Sequence, residues 1–311
     1  MIGSTIAHKL IEYGADVTIA DSCLEPYGSN PFNVQGIKDK LLITKHDIRN
    51  KEAVKDLIQD KDIIYNLAGQ VSHNDSMNDP FLDADINYLG HLNVMECVKR
   101  YNPDAVVLHA GSRLQFGEIQ YNPVDEHHSL NPKTPYALNK TAAENMYLYY
   151  FNIHKIRSIL FRIANPYGPR SQMKHNKYSM INWFIRQAME NNTIKIFGNG
   201  NQIRDYIYVD DLADAFITAS VNPKCYGEIF NIGSGKGTKF KDMVCIIIDT
   251  VGSGKIENVP WPSSYINVET GDYITNINKF TKTTGWKPAT GLYGGIKATH
   301  SYYVKNRKHY W

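Results

Sequence analysis

The chain has 311 residues, of which 42% are apolar and 21% charged, an ordinary globular composition that argues against disorder, collagen and coiled coil. Its net charge of +3 is too small to indicate binding to nucleic acid or to a membrane surface. The longest apolar run, at residues 243–251, is far shorter than the roughly 18 residues of a membrane span, so we expect no membrane segment.

Helices and strands alternate through the first half of the chain. Apolar spacing together with glycine and proline stop signals predicts helices over residues 2–14, 51–59, 83–100 and 135–154. Runs of β-branched and other apolar residues predict strands over residues 16–20, 41–44, 62–67, 105–110 and 157–163. This alternation is typical of βαβ units, so it predicts an α/β fold with a parallel sheet covered by helices on both faces.

The second half is less regular. Its predicted elements are helices over residues 178–191, 210–221 and 292–305, short strands over residues 194–197, 207–209 and 229–232, and a loop over residues 261–272. We expect a boundary near residue 165, with a smaller, mixed α/β lobe after it. The chain is expected to cross between the two lobes more than once.

The chain starts inside a predicted helix rather than with a strand. Residues 2–4 (IGS), with Gly3 at their centre, look like the tail of a glycine-rich turn, whose backbone N–H groups approach a pyrophosphate at a helix N-terminus. Asp21 follows the next strand, where a carboxylate accepts both hydroxyls of an adenosine ribose, although a turn aspartate is the alternative. Together they predict a dinucleotide site whose first strand and most of whose glycine-rich turn are missing, through truncation or a misplaced start.

Tyr136 and Lys140 form a Tyr-x-x-x-Lys motif near the start of a predicted helix. One helical turn separates them, so both side chains lie on the same face. An ammonium beside a phenol favours the phenolate, which predicts a lowered pKa for Tyr136 and a general base for a sugar hydroxyl. Ser112 follows a predicted buried strand, where its hydroxyl would hold the reacting oxygen. A second motif, Tyr293 with Lys297, has no such serine before it and is interpreted as structural.

The order of these motifs resembles the extended short-chain dehydrogenases/reductases, within them the NAD-dependent nucleotide-sugar epimerase/dehydratase family. The matching features run along essentially the whole chain. They are Gly3, Asp21, residues 46–49 (HDIR), residues 66–69 (NLAG), Asn87 with Gly90, Ser112 with Gly117, Tyr136 with Lys140, residues 165–170 (NPYGPR), residues 204–206 (RDY) and residues 230–233 (FNIG). The resemblance implies a Rossmann-like, doubly wound parallel sheet over residues 1–165 that binds NAD. A nucleotide-sugar lobe would follow over residues 166–311.

The resemblance also implies a role for each matching position. The residues implied in cofactor binding are Gly3, Asp21 (adenosine ribose), Asp47 and Ile48 (adenine), Leu67, Ala68 and Gly69 (diphosphate path), Asn87, Tyr136 and Lys140 (nicotinamide ribose). Those implied in catalysis are Ser112, Tyr136 and Lys140, and those implied in binding a nucleotide-diphosphate sugar are Ser112, Arg113, Asn165 and Arg204. The alternatives are a helix-packing amide for Asn87, a surface ion pair for Arg113, and an ion pair with Asp205 or Asp210 for Arg204.

The reaction depends on groups beyond this shared set. The 4,6-dehydratases of the family carry an Asp-Glu pair directly after the serine or threonine, where this chain has Arg113 and Leu114. Leu114 cannot transfer a proton, and the glutamate that decarboxylases place in this loop is absent. We therefore expect a 4-epimerase, in which the 4-keto sugar turns and takes the hydride back on its other face. A dehydratase or reductase of the same family, and a non-catalytic protein that binds NAD or a nucleotide sugar, are the alternatives.

Further features bear on the site, location and assembly. Glu269 stands where many relatives have an arginine that grips a phosphate, so another group must replace that arginine or the nucleotide sits differently. The eleven histidines include no His-x-x-x-His pair, so no metal is predicted. Four scattered cysteines and the lack of a signal sequence indicate reduced thiols and the cytoplasm. The apolar run at residues 146–151 predicts, with the helix at residues 83–100, the interface of a homodimer, as in many relatives.

Overall fold

The computed structural model describes residues 1–24 and 29–311, which form twelve α-helices and eleven strands. The helices are α1 (Ile2–Glu12), α2 (Lys51–Ile58), α3 (His73–Asn78), α4 (Pro80–Ala84), α5 (Gly90–Tyr101), α6 (Pro135–His154), α7 (Met180–Met189), α8 (Val209–Ser220), α9 (Phe240–Val251), α10 (Ser263–Ile266), α11 (Asn278–Thr284) and α12 (Leu292–Asn306). The strands are β1 (Val17–Ala20), β2 (Leu41–Thr44), β3 (Ile63–Asn66), β4 (Val106–Ser112), β5 (Arg157–Ile163), β6 (Asn165–Tyr167), β7 (Thr193–Phe197), β8 (Ile203–Tyr208), β9 (Ile229–Ile232), β10 (Gly237–Lys239) and β11 (Lys255–Val259).

The first half of the chain builds two separate parallel sheets. One contains β1 and β2, and the other has the strand order β3-β4-β5-β9. Within the described residues, β1 pairs only with β2 and β3 pairs only with β4, so each has one open edge. The expected Rossmann-like α/β class is confirmed, and its sheet is divided in two.

Side chains from the larger sheet alternate between two apolar layers. Val106 and Leu108 of β4 pack in one cluster with Ile6 of α1 and Phe216 of α8. Val107, between them in sequence, packs in a second cluster with residues of α2, α5 and α6. This alternation is the two-residue period of a strand, and it buries both faces of the sheet under helices.

The second half adds a smaller lobe and also returns to the first sheet. Strand order β10-β8-β6 and the pair β11-β7 form two small sheets around a third apolar cluster that includes Ile194, Phe184 and Met243. β9 lies beyond residue 165, yet it pairs in parallel with β5 of the larger sheet. Among the described residues, no helix is both long and apolar enough to cross a bilayer.

Two predicted elements differ from the structure, and the structure adds elements that were not predicted. The single helix expected over residues 83–100 is interrupted by π-helical turns at Asp85–Leu89, between α4 and α5. A short helix, α10, lies inside the stretch predicted as a loop at residues 261–272, and α9 was not predicted at all. The π-helical segment widens the helix where Asn87 turns inward and donates to the Gln70 carbonyl oxygen, a tertiary contact that apolar spacing cannot show.

Large apolar side chains remain exposed on the helices expected to form a dimer interface. Phe81 on α4 is 82% exposed, and Tyr149 and Ile153 on α6 are 52% and 60% exposed. Most of the run at residues 146–151 is nevertheless buried against α5 and the sheet. The homodimer stays a prediction.

Candidate active site

The predicted site residues come together at the carboxyl ends of the parallel strands. Ser112 ends β4, Asn165 follows β5 after one residue, and residues 67–69 follow β3. Apart from Asn87, every site residue predicted from the sequence lines one cavity of about 1710 Å³. Ligands of open α/β sheets bind at this edge.

Tyr136 and Ser112 line the same cavity. Helix α6 begins at Pro135, and the Thr134 hydroxyl caps it by accepting from the Ala137 N–H at 3.3 Å. This places Tyr136 in the first turn, close enough to the Ser112 side chain for that hydroxyl to affect its pKa. Lys140 lies one turn later, and both residues are buried. The three residues predicted to carry out catalysis therefore line one cavity.

The expectation of a lowered phenol pKa is wrong for Tyr136. Burial raises the pKa of Tyr136 to about 12, because the low-dielectric surroundings penalise the phenolate. The hydrogen bond with Ser112 lowers this pKa in part, while the nearby charge of Asp83 raises it. Burial also lowers the pKa of Lys140 to about 8, against the opposing effect of Asp83. Burial, rather than the attraction between phenolate and ammonium, dominates both groups.

Asp83 is a buried carboxylate that sequence reasoning missed. It is fully buried, and three amides donate to it: Asn139 at 2.8 Å, Gln70 at 2.9 Å and Asn87 at 3.0 Å. Burial raises the pKa of Asp83, whereas the amide hydrogen bonds and the charge of Lys140 lower it. Asp83 therefore supplies negative charge beside the buried ammonium. It was the first residue of a predicted helix, and nothing in its local sequence marks it as buried.

A buried ion pair supports the turn that carries Ser112. Arg162 of β5 donates to both carboxylate oxygens of Glu144 on α6, at 2.7 and 2.8 Å. Gln115 donates to Glu144 at 3.0 Å and accepts from the Ser112 backbone N–H at 2.8 Å. Glu144 lies one helical turn after Lys140, a spacing that could have indicated a shared inward face. The network ties β5, α6 and the Ser112 turn together.

Two arginines line the cavity. Arg204 pairs with Glu269 at 2.5 Å, rather than with Asp205 or Asp210 as the alternative interpretation held. Arg113 donates to the side-chain oxygens of Asn165 and Thr270, each at 3.1 Å. Glu269, at the position where the family resemblance implied an arginine, is therefore paired with Arg204.

Another part of the cavity is bordered by α1 and by the segments after β1, β2 and β3. Asp21 follows β1 with an exposed carboxylate that accepts from the Cys23 N–H at 2.8 Å. The Asp47 carboxylate is held by Arg49 at 2.7 Å, and this hydrogen bond lowers the pKa of Asp47. A Cβ on Gly69 would come within 3.0 Å of the Asn87 side-chain oxygen and 3.4 Å of the Lys140 ammonium. The absence of a side chain at Gly69 thus leaves room for another group to approach both polar atoms.

The family follows from comparison with known proteins. A model of the "NAD dependent epimerase/dehydratase family" matches residues 1–233. The chain belongs to this family. It is 33% identical over 310 residues to a Methanocaldococcus jannaschii protein provisionally named a UDP-glucose 4-epimerase, covering 99% of this chain and 96% of that protein. It is 29% identical to the UDP-glucose 4-epimerase of Mycolicibacterium smegmatis, covering 97% and 95% of the two chains.

Solved structures of the epimerase/dehydratase family share the fold. The UDP-glucose 4-epimerase of Thermotoga maritima with UDP-glucose superposes with a TM-score of 0.89 at 25% identity, over 99% of this chain and 96% of that one. The dTDP-glucose 4,6-dehydratase of Bacillus anthracis in complex with NAD gives a TM-score of 0.87 at 25% identity, over 100% and 95%. The family is NAD-dependent and modifies nucleotide sugars, and it includes both reaction types.

The polar groups of the cavity fit NAD, the cofactor of the family. Asn87 does not line the cavity, but its side-chain oxygen is buried without a hydrogen-bond partner among the described residues and lies next to Gly69 of the cavity wall, as does the Lys140 ammonium. A donor and an acceptor side by side suit the hydroxyls of a ribose. The first turn of α1, with no side-chain cap, offers backbone N–H groups to a phosphate, and Gly3 borders it. Asp21 lines the same cavity at the end of β1, where its carboxylate could accept the hydroxyls of an adenosine ribose.

Proposed function

We propose that the chain is an NAD-dependent nucleotide-sugar 4-epimerase. The observation that carries the proposal is that Tyr136, Ser112 and Lys140 line the same cavity, with Lys140 one helical turn after Tyr136. The names of the relatives support it, since one is named a UDP-glucose 4-epimerase and another provisionally so.

The chain's own residues account for the proton movements. Ser112 binds the hydroxyl of sugar carbon 4, and Tyr136 in its phenolate form takes the proton of that hydroxyl and later returns it. When bound, NAD supplies a reversible hydride acceptor for the same carbon. The Lys140 ammonium favours the phenolate that forms, and Asp83 compensates the charge of that ammonium in its buried position.

The turn after Ser112 favours epimerisation over elimination of water. Dehydration needs a side chain that can give a proton to the leaving hydroxyl. Arg113 and Leu114 occupy the two positions after Ser112, and Leu114 lines the cavity. An aliphatic wall at this point supports a reaction in which the keto sugar turns rather than eliminates.

The test is incubation with NAD and UDP-, dTDP-, GDP- and CDP-hexoses, with the products identified by NMR. We expect interconversion of the C4 epimers of one nucleotide sugar without net change in NAD. Tyr136→Phe should lower the turnover number by about 10²–10⁴-fold, the usual contribution of general acid–base catalysis. Tyr293→Phe, in the second Tyr-x-x-x-Lys motif on α12, is the control, because Tyr293 is exposed and should not affect turnover.

Three results would contradict the proposal. Accumulation of a stable keto sugar would indicate a dehydratase, and steady consumption of NADH would indicate a reductase. Binding of NAD and nucleotide sugar without any turnover would indicate a non-catalytic protein.

A further inference from the structure

Arg113 places a positive charge directly beside the catalytic serine. It follows Ser112 in the chain, and its side chain lines the same cavity. Its Nε donates to the Asn165 oxygen and one Nη1 hydrogen to the Thr270 hydroxyl, while its guanidinium lies 5.4 Å from the centre of the Tyr273 ring. These contacts fix the plane of the guanidinium, but all the partners are neutral.

The acidic groups nearby are already engaged. Glu269 pairs with Arg204 at 2.5 Å and also accepts from the backbone N–H groups of Thr270 and Gly271, each at 3.0 Å. Within residues 1–24 and 29–311, no carboxylate lies within 4.0 Å of the Arg113 guanidinium. Burial, and then the neighbouring charge of Arg204, lower the pKa of Arg113 to about 10. A buried cation without a charged partner is unfavourable in free energy, so an anion bound in the cavity would be stabilised by pairing with Arg113.

The position of Arg113 indicates which part of a substrate would carry that anion. Under the proposed function the reacting sugar carbon lies between Ser112 and Tyr136. The Arg113 guanidinium is held in the same cavity by Asn165 and Thr270, so an anionic substituent of the sugar ring is a group that it could bind there. The Nη2 hydrogens and the second Nη1 hydrogen remain to form two parallel bonds with a carboxylate.

We propose that Arg113 binds the carboxylate of a sugar acid, so that the substrates are nucleoside-diphosphate uronates rather than neutral hexoses. This inference rests on the proposed function for the location of the sugar. It assigns the preference for a uronate over a neutral hexose to the Arg113 guanidinium, which Asn165 and Thr270 orient.

Calorimetric titration of the NAD-saturated protein with UDP, UDP-glucose and UDP-glucuronate tests this assignment. Charge-assisted hydrogen bonds contribute about 1.5–3 kcal/mol, which is roughly 10- to 100-fold in affinity. The wild type should therefore bind UDP-glucuronate at least about tenfold more tightly than UDP-glucose. Arg113→Met should remove this preference, and Arg113→Lys should retain part of it, because lysine keeps the charge but loses the fork.

Lys133→Met is the matched control. Lys133 is another cation of the cavity wall, but it contacts the Glu269 backbone oxygen at 3.0 Å and Glu118 at 3.5 Å. Removing it should leave the ratio of the two affinities unchanged. If Lys133→Met lowers the preference as much as Arg113→Met does, general cavity charge is responsible and the assignment to Arg113 falls.

Two other results would overturn the inference. A wild type that does not favour UDP-glucuronate over UDP-glucose has no uronate site at Arg113. If Arg113→Met weakens UDP, UDP-glucose and UDP-glucuronate by one common factor, Arg113 holds the diphosphate instead. Measuring turnover separates this inference from the proposed function. If the protein epimerises UDP-glucose but does not bind UDP-glucuronate more tightly, only the inference is contradicted. If it prefers UDP-glucuronate through Arg113 but turns over no sugar, only the 4-epimerase proposal is contradicted.

Discussion

At the scale of single residues, burial sets the charge states of the Tyr-x-x-x-Lys motif. Tyr136 is 7% exposed and Lys140 is 3% exposed. With the pKa of the phenol raised to about 12 and that of the ammonium lowered to about 8, neutral pH gives a neutral phenol and a buried cation. The protein keeps that cation although it is costly to bury, which indicates a binding or catalytic use.

Lys140→Met should abolish turnover and yet raise the free energy of unfolding at pH 7. In the folded chain the pKa of Lys140 is about 8, against an ordinary value of 10.5 that applies when the chain is unfolded. At pH 7 both states carry the charge and the folded state bears its desolvation, about 3 kcal/mol for a shift of this size. Between pH 8 and 10.5 the unfolded chain binds the additional proton, so wild-type stability rises with pH relative to the variant. Urea unfolding at pH 7 and pH 10 measures the difference.

The control for this prediction is Lys297→Met. Lys297 is exposed on α12 and should show no such pH-dependent gain. A Lys140→Met protein that is less stable than the wild type at pH 7, by an amount that does not vary with pH, would show that the lysine is not a buried charge.

At the scale of elements, local chemistry determined which predictions succeeded. Helix α6 was predicted over residues 135–154 and has those bounds, because Pro135 and the Thr134 cap fix its start. The helix predicted over residues 83–100 contains a π-helical segment, within which Asn87 donates to the Gln70 carbonyl oxygen, a contact that depends on the folded chain. Apolar spacing reports which face is buried, but not a local change in helix type.

The same limit applies to the site. The four-residue spacing of Tyr136 and Lys140 correctly predicted that they share one face of a helix. The resemblance to a known family supplied the other positions that line the cavity. Asp83 and Glu144 were missed because their partners lie on other elements, and a carboxylate in a helix is normally exposed. The wrong pKa direction for Tyr136 has the same origin, since burial is a property of the fold.

The Arg162–Glu144 pair should show strong coupling between β5 and α6. Both side chains are almost fully buried, at 4% and 2% exposure. Arg162→Met or Glu144→Met alone leaves one buried charge unpaired, which costs about 3–5 kcal/mol in the free energy of unfolding. The double variant removes both charges and should lose much less than the sum of the two single variants. Guanidinium chloride unfolding of the four proteins gives the coupling energy, and additive losses would contradict a buried ion pair.

At the scale of the whole molecule, two parallel sheets leave open edges on one cavity. Residues of β1 and of β3 both line the cavity, and neither strand has a second partner among the described residues. Helix α1 borders the same cavity, and its first turn has no side-chain cap. Backbone groups at such edges are free to pair with a further strand.

An added strand should therefore strengthen both the fold and the binding of NAD. We would fuse a strand and a glycine-rich turn ahead of Met1. The strand would have about six β-branched residues, the usual length of a strand, and the turn would let a phosphate approach α1. The strand would pair with the open edges of β1 and β3, and the turn would bring further N–H groups to the phosphate. We expect a higher melting temperature and a lower Kd for NAD, measured by calorimetry. A glycine-serine extension of equal length is the control, because it cannot form a stable strand. If both extensions leave the melting temperature and the Kd unchanged, the open edges are not a strand-binding position.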